Sequence, residues 1–86
     1  MKSKFNEFMT IKNLPSLSAR QVIKVLKEIG FCEDRQKGSH LVLINPSTKS
    51  RAVVPMHAGK TIKKTLLKSI IEKDAGVLIE EFLKHL

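Results

Sequence analysis

The sequence predicts an α+β domain with the order α-β-β-β-α and a short terminal helix. Three observations predict it: an amphipathic stretch with its own cap near residue 18, three short strand-like runs broken by turn residues between 31 and 55, and renewed helical spacing after residue 61. With 86 residues there is room for one domain and one modest core. Residues 1–13 read as a polar extension with scattered Phe5, Phe8, Met9 and Ile11, and residues 14–86 as the single domain.

The first helix is expected from about Ala19 to Ile29. Ser18 caps it, Gln21 completes a capping box, and Leu17 is placed to staple onto Val22. Val22, Ile23, Leu26 and Ile29 form its apolar stripe, and Gly30 supplies the stop. Phe31–Lys37 is a polar strand candidate. Gly38-Ser39 turns the chain into His40–Asn45, whose Leu41, Val42, Leu43 and Ile44 make the strongest β-run. Pro46-Ser47-Thr48-Lys49 is turn chemistry, and Ser50–Pro55 returns as a third strand.

After Met56–Lys60, a second helix is expected from Thr61 or Thr65 to Lys73, with Leu66, Leu67, Ile70 and Ile71 inward and Gly76 ending it. A third, Val77–His85, places Leu78, Ile79, Phe82, Leu83 and Leu86 on or near one face. Two helices cover one face of a three-stranded antiparallel sheet and leave the other open. Double-stranded-RNA-binding domains use that topology.

The charge is the first pointer to function. Sixteen Lys and Arg against eight Asp and Glu give +8. The excess lies in residues 1–73, which hold fifteen of the bases and five of the acids. A compact basic body attracts polyanions, and neutralising phosphates gives sequence-independent affinity for nucleic acid. Membrane binding fits less well, since the lysine-rich segments lack large aromatic anchors. The N-terminal stretch does not read as a signal peptide, and a lone cysteine, Cys32, allows no intrachain disulfide. The cytoplasm is the expected compartment.

Two segments are suited to chemistry. Lys37-Gly38-Ser39-His40 opens the strongest strand, where a histidine is held rigidly and moves protons near neutral pH, its unperturbed pKa being about 6.5. RNA carries its own nucleophile, the 2′-hydroxyl. Cleavage therefore needs a base, charge stabilisation at phosphorus and a proton for the leaving oxygen. Arg35, Lys37 and Lys60 are cationic candidates for the second task. Taken alone, a histidine at a strand start is more often structural than catalytic.

Pro55-Met56-His57-Ala58-Gly59-Lys60 is the second segment. Its glycine permits close approach to a phosphate, the helix start after it attracts anions, and Lys63, Lys64 and Lys68 extend the positive surface. An ordinary loop before a solvated helix reads equally well. His40, His57 and His85 are widely spaced and Cys32 has no partner at zinc-ligand spacing, so neither a metal nor a cofactor is expected. Without Trp or Tyr, base-stacking platforms are disfavoured.

In order, the stretches LPSLSARQVIKVLKEIGF, RQKGSHLVLINP, RAVVPMHAGK and TLLKSIIEKDAGVLIEEFLKHL resemble the HicA family of toxin–antitoxin ribonucleases over about residues 14–86. The resemblance implies a fold like that of a double-stranded-RNA-binding domain and metal-independent cleavage of mRNA. It implies an essential His40, with Gly38 and Ser39 shaping its turn. It also implies a HicB-type antitoxin that covers this histidine, so the chain is expected to be monomeric when free and hetero-oligomeric when neutralised. Pro55, His57, Gly59 and Lys60 match the family's loop before the second helix, where a substrate contact is inferred.

The chain departs from the pattern twice. Leu41 stands where many members have a second histidine, so acid and base duties must be shared with another group or with water. Lys63-Lys64 replaces a Pro-Gly pair, which predicts a helix lengthened toward Thr61 and added phosphate affinity. The expected RNA-binding set is Lys37, Gly38, Ser39, His57, Gly59, Lys60, Lys63 and Lys64, with His40 catalytic. A non-catalytic RNA-binding module and a basic domain that docks an acidic partner are the rival readings.

Overall fold

The structure, a computed structural model, describes residues 14–57 and 59–86. The expectation for residues 1–13 lies outside them. Helix α1 spans Ala19–Glu28, strand β1 Cys32–Lys37, β2 His40–Ile44 and β3 Arg51–Pro55; helix α2 spans Lys64–Ser69 and α3 Ile79–Leu83. The chain is thus α+β, with the described helices on one face of a three-stranded antiparallel sheet in the order β1-β2-β3.

α1 is specified at both ends by local chemistry. The Gln21 N–H donates to Ser18 Oγ at 3.2 Å, and the Ser18 N–H donates to Gln21 Oε1 at 2.9 Å. Two otherwise orphaned donors are satisfied by one pair of side chains. At the other end the Phe31 N–H reaches the Leu26 carbonyl at 2.9 Å and the Gly30 N–H that of Lys27 at 3.1 Å. This is a Schellman closure, with Phe31 and Leu26 both buried. It explains why Phe31, expected in the strand, ends the helix instead. Val25 joins Val22, Ile23 and Leu26 in the core, while Ile29 is only half-buried.

The core lies on one side of the sheet. Leu41, Leu43, Ala52 and Val54 point into it, against Val22, Leu26, Leu67, Ile70, Ile71 and Phe82. Val42 and Val53, of the opposite parity, do not belong to that cluster. β1 is exposed along its whole length, and its register with β2 slips between Glu33 and Arg35, leaving Asp34 as an extra residue.

Three details differ from expectation. The second helix begins at Lys64, next to the Thr65 alternative, and is not lengthened to Thr61, because Thr61 pairs with Ser18 and the Ile62 N–H donates to the Leu17 carbonyl at 2.8 Å. That extended strap spends the backbone groups that another helical turn would need. Beyond Ser69 the helix widens into a π-turn, Ile70–Asp74, closed by the Ala75 N–H on the Ile70 carbonyl at 2.8 Å. The widening brings Asp74 beside β3, where its Oδ2 accepts the outward Val53 N–H at 3.4 Å. Finally, Leu66, Leu78 and Leu86 are exposed rather than inward, and α3 is secured by Phe82, which is fully buried.

Candidate functional site

His40 is placed by the turn before it. In Lys37-Gly38-Ser39-His40, Gly38 has φ +60° and Ser39 stays at negative φ. A two-residue hairpin with a glycine of positive φ in its first position matches the twist of the strands it joins. Gln36 Nε2 donates to the Gly38 carbonyl at 3.2 Å and steadies the turn. His40 is therefore the first residue of the central strand, exposed, with Lys37 opposite it on β1 and Pro55 opposite it on β3.

The two segments singled out in the sequence meet at this end of the sheet. The Met56 N–H donates to the Ser39 carbonyl at 2.6 Å, carrying the β2–β3 ladder one step past β3. His57 follows directly and is exposed; its carbonyl accepts the Lys60 N–H at 3.1 Å, and Gly59 has φ +74°. Lys63 and Lys64 stand farther along, at the start of α2, beyond the Thr61–Ile62 strap. The structure so brings Lys37, Gly38, Ser39 and His40 to one edge with His57, Gly59 and Lys60, whereas Lys63 and Lys64 belong to the start of α2.

The carboxylates are largely spent elsewhere. Glu28 pairs with Lys24 at 3.2 Å, Glu33 with Lys27 at 2.6 Å, Glu72 with Lys68 at 2.5 Å and Glu81 with Lys84 at 3.6 Å. Asp34 lies 3.7 Å from the guanidinium of its neighbour Arg35. Lys37, Arg51 and Lys60 have no ion-pair partner among the described residues. The positive charge of these three residues is thus available to an anion rather than neutralised internally.

A groove of about 450 Å³ opens between α1 and β1, lined by Arg20, Lys24, Lys27 and Glu33 over Ile23 and Leu41, but His40 does not line it. Among the described residues no three His, Cys, Asp or Glu side chains converge as metal ligands. None of the described helices is long and apolar enough to cross a membrane. Arg51 is the residue that sequence reasoning missed. Only the strand register reveals that it shares with Ile44 the sheet face away from the core.

A sequence model of the family described as "HicA toxin of bacterial toxin-antitoxin" matches residues 19–77. That span is more than half of the chain and runs from the first residue of α1 through the turn at Gly76. No curated protein matches the chain.

Proposed function

The chain belongs to the HicA family, the toxins of bacterial toxin–antitoxin pairs, and we propose that it acts as a metal-independent endoribonuclease on mRNA, with His40 as its proton-transfer group. The supporting observation is the position of His40: exposed, first in the central strand, across from Lys37, and at the end of the sheet to which the Ser39–Met56 hydrogen bond fastens the His57–Lys60 loop.

The chemistry this permits is internal transesterification. A base takes the proton of the 2′-hydroxyl, the 2′-oxygen bonds to phosphorus, and the bond from phosphorus to the 5′-oxygen breaks. The departing oxygen takes a proton, leaving a 2′,3′-cyclic phosphate and a 5′-hydroxyl. His40 performs one of the two transfers, and such a group typically contributes about 10²–10⁴-fold. His57 or a lysine is the candidate for the other. Lys37 and Lys60 stabilise charge developing on the phosphoryl oxygens, and Gly38, Ser39 and Gly59 let backbone approach the phosphates. Lys63 and Lys64 contact RNA more distantly. As a toxin the chain pairs with an antitoxin. In this reading the partner is of the HicB type and covers His40, the free toxin is a monomer, and both act in the cytoplasm.

The test uses antitoxin-free protein, a structured RNA and excess EDTA, with His40→Ala in parallel. Cleavage by the original chain alone, ending in cyclic phosphate, is the expected result. Binding without cleavage by both folded proteins would leave a non-catalytic RNA-binding module.

A further inference from the structure

His40 is one corner of a charged surface. In an antiparallel pair, residues in register share a face, and the face alternates along each strand. The face away from the core therefore carries three rows. Lys37, His40 and Pro55 form the first; Arg35, Val42 and Val53 the second; Cys32, Ile44 and Arg51 the third. Successive rows lie about 6.5–7 Å apart along the strands, and neighbouring columns about 4.8 Å apart across them.

The centre of this face is apolar and its flanks are cationic. Val42 is only 2% exposed although none of the described helices covers its side of the sheet. Ile44, Val53 and Pro55 are half-buried, whereas Arg35, Lys37 and Arg51 are exposed. The cations lie on both outer strands, Arg35 and Lys37 on β1 and Arg51 on β3.

Resting on the ribonuclease reading above, we propose that this face is a track for single-stranded RNA, with Arg35 and Arg51 as its phosphate-binding residues beyond the scissile position at His40. The RNA backbone runs from His40 past Arg35 toward Arg51, and bases lie against Ile44, Val53 and Pro55. From the first row to the third is about 13 Å along the strands, room for a few nucleotides of one strand. A duplex-binding module instead spans about 16 bp across two minor grooves. A single strand also bends freely enough to bring the 2′-oxygen in line with the departing 5′-oxygen, which a stacked duplex resists. Without Trp or Tyr the face offers no stacking platform, so phosphate contacts carry the affinity.

The test measures binding of a short single-stranded 2′-O-methyl RNA, which lacks the nucleophile, across a salt series. Arg35→Gln/Arg51→Gln is compared with the charge-matched Arg20→Gln/Lys24→Gln, whose residues lie on α1, on the other side of the sheet. The expected result is a severalfold loss of affinity for the first pair only, with its salt slope reduced by about 0.7 for each lost contact. Arg51→Gln alone should show half of that change in slope, and circular dichroism should show all variants folded. Equal losses for both pairs, or none for the first while the original chain still cleaves RNA, would overturn the track and leave the ribonuclease standing. An original chain that binds single strands but never cleaves them would sink the catalytic reading while leaving the track intact.

Discussion

The backbone N–H of Met56 donates to the carbonyl of Ser39 at 2.6 Å, so the loop bearing His57 is fastened to the turn that delivers His40. Through this one bond two segments seventeen residues apart in sequence share a rigid frame.

If His57 completes the proton transfers begun by His40, the two residues act as a unit. His40→Ala should then lower cleavage by about 10²–10⁴-fold. His57→Ala should lower it less, and the double variant should be little worse than His40→Ala alone, as for residues that work together. Multiplying effects in single-turnover cleavage would assign the second transfer to a lysine or to water.

Gly38 and Gly30 both hold positive φ, but their surroundings differ. A Cβ at Gly38 meets nothing within 4 Å, whereas one at Gly30 comes to 3.1 Å from Asn45 Nδ2. Asn45 is buried, and its Oδ1 accepts the Ser47 N–H at 3.0 Å, so it has little room to yield. Gly38→Ala should cost about 1–2 kcal/mol, the backbone term alone. Gly30→Ala should cost more, and urea midpoints at constant slope would rank the two.

Asp74 seals the outer edge of β3 by accepting the Val53 N–H. Asp74→Ala leaves that amide to water and should destabilise the chain by about 0.5–1.5 kcal/mol. Hydrogen exchange at Val53 should accelerate selectively, while Asp74→Asn, which keeps a carbonyl acceptor, should retain much of the protection. Unchanged exchange in Asp74→Ala would mean that the bond protects nothing.

The Glu28 carboxylate faces Lys24 first and His85 second, His85 Nδ1 lying 3.1 Å from its Oε1, and both hold its pKa below the ordinary 4.5. A carboxyl depressed in the folded state contributes stability above its unfolded value, and that contribution is lost as pH falls through the lower folded value. Acid should therefore loosen α3 from α1 below about pH 4.5. Amide exchange in α3 should report it, and Glu28→Gln should flatten that dependence. A variant with the original pH profile would place the acid response elsewhere.

What was legible in the sequence was what local chemistry fixes. Ser18 with Gln21, Gly30 after Ile29, and Gly38-Ser39 before a β-run each specify their geometry within a few residues, and all are found as read. What escaped depends on partners distant in sequence. Thr61 stays out of α2 because Ser18, forty-three positions earlier, pairs with it. The π-turn follows an apolar spacing that an ordinary helix would share, so Leu66 and Ile70 give no warning of it. Arg51 joins the His40 face only through a register that becomes visible once the strands are paired.

The two rims of the sheet are treated differently, and this bears on how a protein can remain dispersed at high concentration. An unpaired strand is a template on which further chains polymerise. β3 escapes through the Asp74 carboxylate. No described strand pairs with the outer edge of β1, yet Glu33, Asp34, Arg35 and Lys37 crowd it with charge of both signs, and the bulge at Asp34 spoils its straightness. A stacked copy would have to desolvate those charges and reproduce the kink. The strand that is most accessible is thus also the one least able to seed an aggregate.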